Sequence, residues 1–251
     1  GNFDGNNKVI SNLTINVPSS DNVGLFGVNT GTIQNVNLTN VNVTGRNNVG
    51  ALVGRNLAQS VDGNVTASVL NSSATGEVSG GDSVGGLVGS NFADTQSGSV
   101  SAIIANSSFS GHVIGNSGIG GLVGGSFARA YTGVAQASIS NSSASGNVFG
   151  FERSVGGLVG EMDGWSYGVN GSQTINAIST VSNSGASTNA GSNRNGVGGL
   201  VGYAYGYGKN GGGARVAINA GFALGDIGGN DQVGGLVGHV YASSPDNSPV
   251  E

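Results

Sequence analysis

The sequence predicts an all-β protein, a parallel β-solenoid, and three observations carry this prediction. The hexapeptide Val-Gly-Gly-Leu-Val-Gly, or a close variant, recurs at intervals close to 35 residues, a period typical of solenoids and propellers. Apolar residues alternate with polar ones between the copies, as in strands with one buried face. An Asn also recurs once per unit. The copies end at Gly27, Gly54, Gly89, Gly124, Gly160, Gly202 and Gly238.

Each unit reads as three short strands separated by Gly, Asn or Ser corners. The hexapeptide supplies one strand. A second strand precedes the recurrent Asn, because Val65, Ala67 and Val69 have the parity of one buried face. A third strand follows the Asn and is marked by sequences such as the one around Val78. The sequence therefore predicts about seven three-stranded coils of about 35 residues each.

The recurrent Asn favours a solenoid over a propeller. Only coil-on-coil stacking places each copy about 4.8 Å from the next, where side-chain amides can hydrogen-bond in a ladder. We expect this ladder to face inward, with Asn106 buried and bonded to neighbouring coils. Its members are Asn35, Asn71, Asn106, Asn141 and Asn183.

The glycines of the hexapeptide predict a β-bulge. The first copy, which runs from Val23 to Gly27, is one residue shorter than the others. An extra residue between the Val and the Leu of the fuller copies is what a bulge would accommodate. We expect the first glycine of each pair to hold the special backbone angles. These are Gly50, Gly85, Gly120, Gly156, Gly198 and Gly234.

Composition indicates one continuous folded domain. Among the 251 residues, 37% are apolar and 8% are charged, whereas disorder needs the opposite balance. Residues 1–242 are predicted to form a single solenoid domain, and residues 243–251 a tail or linker. The chain begins inside a recognisable repeat, so we expect it to be a segment of a larger protein.

Charge and hydropathy exclude several classes of partner. The eight Lys and Arg residues are scattered singly, whereas nucleic-acid surfaces need clustered cations. No apolar run approaches the roughly 20 residues that span a bilayer, so no membrane insertion is expected in this segment. There is no Cys, which excludes a disulfide scaffold.

No catalytic constellation or metal site is apparent, and no cofactor is expected. The two His residues, His112 and His239, are about four coils apart, and no HExxH motif occurs. Asp21, Asp82 and Asp231 recur at the corner before the hexapeptide, which is typical of a turn in which Asp bonds its own backbone. Calcium binding at this corner is an open alternative.

Insertions after the hexapeptide are the best candidates for ligand binding. From the second copy on, about eight residues follow the motif, as in residues 56–63 and 91–98. One interpretation is an aromatic stack that seals an edge of the solenoid. The other is a platform for sugar or protein contact, because amphipathic rings contribute area at little entropic cost. The candidate ligand-binding residues are Tyr131, Trp165, Tyr167, Tyr203, Tyr205 and Tyr207.

The repeats resemble the GLUG-motif family, and the resemblance covers nearly the whole chain. It implies a repeat region of a large bacterial surface or secreted protein, such as an adhesin or the flank of an immunoglobulin-A-cleaving metallopeptidase. It implies a scaffold role and an extracellular location, but no particular binding residue. The residues that carry it are the hexapeptides, Phe3-Asp4-Gly5-Asn6, Ile10-Ser11-Asn12-Leu13 and Gly31-Thr32-Ile33-Gln34-Asn35.

The sequence thus favours a non-enzymatic stalk or scaffold of an adhesin, whose aromatic loops contact glycans or surface proteins of another cell. One alternative is a fibre subunit that self-associates through its open ends, since such ends expose unpaired strand edges. A polysaccharide-degrading β-helix enzyme is a further alternative, which would need two carboxylates about 5 to 10 Å apart.

Overall fold

A computed structural model describes residues 1–168, 174–246 and 249–251. This part of the chain consists of strands and turns without any helix, so it also holds no helix that could span a membrane. Every strand pairing is parallel, as between Val88 and its partners Val53 and Val123 in the neighbouring coils. The β-solenoid prediction is confirmed, with about six turns and a spacing of about 35 residues, close to the predicted seven coils.

The strands form four sheets that run along the solenoid. Sheet 1 contains β1 (Phe3–Asp4), β5 (Thr32–Gln34), β8 (Val65–Leu70), β12 (Ser99–Ala105), β16 (Val134–Ser140), β20 (Thr174–Ser182) and β24 (Gly212–Asn219). Sheet 2 contains β2 (Val9–Ser11), β3 (Thr14–Asn16), β6 (Asn37–Thr44), β9 (Ser73–Ser79), β13 (Ser108–Gly115), β17 (Ser143–Gly150), β21 (Gly185–Ser192), β25 (Phe222–Leu224) and β26 (Ile227–Gly228). Sheet 3 contains β10 (Asp82–Gly85), β14 (Ser117–Gly120), β18 (Val155–Gly156), β22 (Asn195–Gly198) and β27 (Asp231–Gly234). Sheet 4 contains β4 (Phe26–Asn29), β7 (Val53–Ser60), β11 (Val88–Thr95), β15 (Val123–Ala130), β19 (Val159–Ser166), β23 (Val201–Gly208) and β28 (Val237–Ser243).

A full coil therefore has four strands, and the prediction of three was wrong. The hexapeptide turns a corner at its paired glycines, which places Val84 in sheet 3 and Val88 in sheet 4. The predicted loop insertion is also wrong in part, because most of those residues continue the sheet 4 strand. The side chains of these residues point alternately inward and outward, as in any β-strand. Only the turn that connects sheet 4 to sheet 1 is irregular.

The hexapeptide glycines serve close packing, and the predicted bulge angles were wrong. None of the six predicted glycines has a positive φ; the positive values lie just before the motif, as at Ser83 (55°) and Asn48 (52°). A Cβ on Gly85 would lie 2.1 Å from the Val88 carbonyl oxygen and 2.5 Å from the amide nitrogen of Gly124. The corner and the coil above it thus leave no space for a side chain.

Two apolar layers fill the interior. The larger contains Val, Leu, Ile and Phe side chains such as Val84, Leu87, Ile104 and Phe109, all buried. The smaller lies between sheets 4 and 1 and consists almost entirely of alanines. Because alanine is small, these two sheets approach each other closely at this end of each coil. Its buried members are Ala58, Ala67, Ala93, Val100, Ala102, Ala128, Ala130, Ala135, Ala137, Ala177 and Ala214.

The predicted Asn ladder lies on the outside of the solenoid, so its predicted burial was wrong. Asn35 is half-buried, and Asn71, Asn106, Asn141 and Asn183 are exposed. All five have φ between 46° and 56°, a left-handed corner that turns the side chain outward. Hydrogen bonds do join three of them. Asn106 Nδ2 donates to Asn71 Oδ1 (3.2 Å), and Asn71 Nδ2 donates to Asn35 Oδ1 (3.4 Å).

A buried Asn ladder exists elsewhere, at the inner side of sheet 4. Asn29 Nδ2 donates to Asn56 Oδ1 (2.7 Å), and Asn56 Nδ2 donates to Asn91 Oδ1 (2.8 Å). Each amide also reaches a carbonyl of sheet 1, as Asn91 Nδ2 does with Ala102 (3.1 Å). These bonds satisfy polar groups that separate the two apolar layers.

Part of the predicted tail pairs with the solenoid. The amide of Ala214 in β24 donates to the Pro249 carbonyl (3.0 Å), and the Glu251 amide donates back to the Ala214 carbonyl (2.9 Å). Val250 forms a parallel bridge with Ala214. The domain boundary at residue 242 stays a prediction.

Candidate functional site

The outward side of sheet 4, here called the aromatic face, collects most of the candidate residues. Strand alternation turns three columns of side chains to this side, and the register aligns them from coil to coil. The first column is Arg55, Ser90, Gly125, Glu161, Tyr203 and His239. The second is Leu57, Phe92, Phe127, Asp163, Tyr205 and Tyr241. The third is Gln59, Asp94, Arg129, Trp165, Tyr207 and Ser243.

The predicted aromatic residues belong to this face or flank it, rather than to loops. Trp165 lies in β19, Tyr203, Tyr205 and Tyr207 lie in β23, and Tyr131 and Tyr167 follow β15 and β19. Of the six, only Tyr131 is exposed (42%), and the other five are half-buried. Trp165 and Tyr167 are not freely exposed, because rings in adjacent strands cover them. The middle of the longest insertion, residues 169–173, lies outside the described residues.

The structure brings all six predicted rings into one connected cluster. Tyr131 and Tyr167 stack with centroids 5.0 Å apart, and Tyr167 contacts Tyr207 at 5.9 Å. Trp165 lies 5.1 Å from both Tyr205 and Tyr207. Tyr203 joins Tyr205 at 6.3 Å. Such pairs contribute about 0.5–1.5 kcal/mol each beyond area burial, so the cluster is a rigid surface.

Two further rings extend the cluster toward β28. His239 stacks on Tyr203 with centroids 5.1 Å apart and an interplanar angle of 6°. Tyr241 stacks on Tyr205 at 5.4 Å and 7°. The strand spacing of about 4.8 Å is what places in-register rings at stacking distance.

Sequence reasoning missed two carboxylates within the aromatic face, Glu161 and Asp163. They are two residues apart in β19 and therefore point to the same side. A signal for Asp163 was present, since it stands three residues after Gly160, in the column that is aromatic in most other coils. Both line a depression of about 360 Å³. Its lining residues are Arg153, Ser154, Glu161, Asp163, Trp165, Asn195, Gly196, Tyr203, Tyr205 and Gln232.

Both carboxyl groups are electrostatically unusual. The pKa of Asp163 is raised to about 8, chiefly by burial and also by the charge of Glu161, while a hydrogen bond from Trp165 opposes the shift. Burial likewise raises the pKa of Glu161, against the attraction of Arg153. Asp163 is 9% exposed, and its Oδ1 atom has no hydrogen-bond partner. Neither carboxylate forms a salt bridge within residues 1–168, 174–246 and 249–251.

The aromatic face has a different character in the preceding coils. The guanidinium carbon of Arg55 lies 4.7 Å from the centroid of the Phe92 ring, and that of Arg129 lies 5.4 Å from it. Phe92 also meets Phe127 edge-on at 6.2 Å. A second depression, of about 370 Å³, separates this group from Asp163 and Trp165. Here the protein itself provides the cations that aromatic faces attract.

The structure adds little catalytic or metal-binding chemistry outside the aromatic face. His112 is exposed in one column with Glu77 and Asn147. Asp21 in the acidic corner pairs with Arg46 (2.5 Å). The described residues contain no group of three or more His, Cys, Asp or Glu placed to hold a metal ion.

Comparison with known proteins gives one relative and one similar structure. No protein-family model matches the chain. Halomucin of Haloquadratum walsbyi is 46% identical over 70 residues, which are 27% of this chain and 1% of halomucin. A crystal structure described as that of a "putative immunoglobulin A1 protease" from Bacteroides ovatus superposes with a TM-score of 0.58 and 23% identity. This match covers 93% of the present chain and 68% of the other. The chain is thus similar in fold to a protein described as a protease, and in a short segment to halomucin.

Proposed function

We propose that this chain is a non-enzymatic solenoid module of a bacterial cell-surface or secreted protein, and that it presents the aromatic face to glycans or proteins. The rigid stacked rings of β19, β23 and β28 are the observation that carries the proposal. The resemblance to GLUG repeats and the halomucin segment support the location. A coil-by-coil scaffold supports the stalk role, since each coil contacts chiefly its neighbours.

The chemistry of the aromatic face fits saccharide or protein contact. Half-buried Tyr and Trp rings present flat apolar surfaces with polar edges, which are enriched at binding interfaces. Their mutual stacking restricts the side chains before a ligand arrives, so little rotamer entropy remains to be lost on binding. The adjoining carboxylates supply the few convergent polar groups that orient a ligand.

Replacement of the central rings tests this proposal. The double variant Trp165→Ala/Tyr205→Ala should lose binding to glycan arrays and to cell-surface extracts by about tenfold or more, since it removes two adjacent stacking surfaces. Phe151→Ala is the matched control, because Phe151 is 48% exposed and stacks only with Phe149 among its described ring contacts. Circular dichroism would verify that both variants keep the all-β fold. Unchanged binding by the double variant would contradict the proposed binding role, and the module would then be interpreted as a passive spacer.

Glycoside hydrolysis is a second candidate, favoured by the pairing of Glu161 and Asp163. A protonated carboxyl beside a second one can serve as general acid in such reactions. The similar structure described as a protease shares the fold alone and does not bear on this chemistry. Glycans bound in the array experiment should be assayed for new reducing ends. If the wild-type protein produces new reducing ends and the Glu161→Gln variant does not, the result would favour glycoside hydrolysis.

Self-association through coil stacking is a third candidate. The strands of the last described coils expose apolar side chains, among them Leu224 (63%) and Val240 (70%). A further coil would cover them, whether it belonged to the same chain or to another copy. Sedimentation velocity over a range of concentrations separates these cases, because only self-association gives larger species at higher concentration.

A further inference from the structure

We propose that the depression around Glu161, Asp163, Trp165, Tyr203 and Tyr205, here called the acidic cage, binds an organic ammonium group. The inference rests on the proposed binding function and names the chemistry that the aromatic face recognises. The ammonium group could belong to an amino sugar of a glycan or to a lysine of a protein.

The first argument is a missing counter-charge. Two carboxyl groups lie in one depression, and no described Lys or Arg forms a salt bridge with either. Asp163 is almost fully buried, and its Oδ1 atom lacks any hydrogen-bond donor. Buried polar groups are nearly always paired in native proteins. A donor that also carries positive charge would complete both the hydrogen bonding and the electrostatics.

The second argument is the choice of walls. Trp165, Tyr203 and Tyr205 line the same depression as the carboxylates. The faces of aromatic rings are negative, so rings and carboxylates together create a site for a cation and not for an anion. Quaternary and primary ammonium groups suit such a site better than a small metal ion, since their carbon atoms also contact the rings.

The preceding coils of the same face supply a third argument. There the ring of Phe92 is already flanked by the guanidinium groups of Arg55 and Arg129. The first coils of the aromatic face therefore already contain cation–π contacts formed within the chain. In the acidic cage the rings and carboxylates are present, and the position of the cation is left to a ligand.

Charged groups around the cage leave this position open. Arg129 in β15 extends toward Phe92 in β11, which lies on the opposite side of β15 from Trp165 in β19. Arg153 lies at the exposed rim of the depression and attracts Glu161, while Asp82 repels it. Tyr203 and Tyr205 face the carboxylates from β23, and burial raises the pKa of both hydroxyls, so they stay neutral at ordinary pH.

The cage also predicts how pH acts on binding. A cation prefers ionised Asp163, whose pKa is about 8 without ligand. Affinity for a permanently charged cation should therefore rise with pH, by up to about tenfold per pH unit below pH 8, and level off above it. Binding near pH 7 should release protons, because the bound cation favours the ionised form.

Trp165 is the single Trp of the chain, so its fluorescence reports on the cage directly. Choline chloride should produce a saturable change, and its neutral isostere 3,3-dimethylbutan-1-ol should bind about tenfold more weakly or worse. At about pH 9, where Asp163 is ionised, Glu161→Gln and Asp163→Asn should each weaken choline binding by about tenfold, since either removes one negative charge. Asp94→Asn is the matched control and should leave choline affinity unchanged, because Asp94 lies in an earlier coil of the same face.

Paired probes then identify the source of the ammonium group. D-glucosamine against D-glucose tests a glycan, and Nα-acetyllysine amide against Nα-acetylnorleucine amide tests a protein side chain. Equal affinity for choline and its neutral isostere would overturn the inference, and so would an identical fluorescence change with calcium chloride at matched ionic strength. Neither result would affect the array experiment, in which the proposed function fails only if the ring variant binds normally.

Discussion

The two halves of sheet 4 have the same backbone and opposite chemistry. In β7, β11 and β15 the outward side chains pair with one another, as Arg55 and Arg129 do with Phe92. In β19 and β23 the same columns hold carboxylates that form no salt bridge among the described residues, together with aromatic rings in mutual contact. The backbone pairing is continuous and parallel across this change. Coil stacking therefore determines the strand register but not the chemistry of the outward side chains. A candidate site arises where these side chains lack charge or hydrogen-bond partners within the chain.

The inner side of the sheet changes at the same coil. Asn56 and Asn91 form the buried ladder, and Ser126 follows; Ser179 Oγ donates to the Ser126 carbonyl (3.0 Å) and lies 3.3 Å from Ser126 Oγ. The next residues in that register are Met162 and Ala204, which are apolar. The first half is thus stabilised by an internal polar ladder. The second half is stabilised by apolar packing, beneath a surface whose carboxylates form no salt bridge among the described residues.

The largest expected effect lies in the ladder. Asn91→Leu should reduce the free energy of unfolding by about 3 kcal/mol, because Asn56 loses one of its acceptors and the Ala102 carbonyl loses a donor, at about 1–3 kcal/mol per unsatisfied group. Urea unfolding monitored by circular dichroism measures the change. Met162→Leu is the control in the apolar half and should cost less than about 1.5 kcal/mol. Equal costs for the two variants would remove the distinction between the halves.

A smaller effect should appear in the pH dependence of stability. The folded pKa of Asp163, about 8, lies above its unfolded value, so the folded state binds more protons and stability falls as pH rises from about 4 to 8. Asp163→Asn removes this loss and should stabilise the protein at pH 8.5 by at least about 1.4 kcal/mol, the free energy of one pKa unit. At pH 4 the two proteins should differ little. Thermal unfolding across this range would contradict the assignment if the wild-type and variant curves ran parallel.

The smallest effect concerns the cation–π contact of the first half. Arg55→Gln should lower the free energy of unfolding by about 0.5–1 kcal/mol, since Arg55 is half-buried over Phe92. Gln59→Ala, a change on the same strand away from the Phe92 ring, serves as the reference. Denaturant titration can resolve this difference. A loss of stability no greater than that of Gln59→Ala would mean that the contact between Arg55 and Phe92 does not stabilise the first half.

Much of the fold followed from the period of the hexapeptide, because identical residues at a constant spacing require identical neighbours. The fourth sheet did not follow, since a corner made by paired glycines leaves no break in the apolar pattern of Val84 to Val88. The direction of the Asn column was also hidden. An Asn at positive φ and an Asn in a buried strand look alike in sequence, and Asn106 and Asn91 differ only in backbone angle and location.

Clustering of the aromatic residues was predictable, because each stands an odd number of residues after the closing Gly of its hexapeptide and therefore points to the same side of the strand. The acidic cage was not predicted, because Asp163 is a single interruption of a largely aromatic column and Glu161 lies in a column whose residues vary from coil to coil. These two carboxyl groups are unusual because neighbouring strands bury them, and the sequence does not show which strands lie beside them. The binding roles assigned to Tyr131, Trp165, Tyr167, Tyr203, Tyr205 and Tyr207 stay predictions.

The offset of 35 residues that separates the paired residues Val53, Val88 and Val123 has a genetic consequence. Loss of one such stretch of coding sequence would rejoin the strands in register, and a duplication would add one coil and lengthen the rod by about 4.8 Å. Recombination between repeats would thus alter reach in whole steps without disturbing the cross-section. Because the outward columns diverge independently of the backbone, each duplicated coil would also offer a fresh strip of surface on which selection could act.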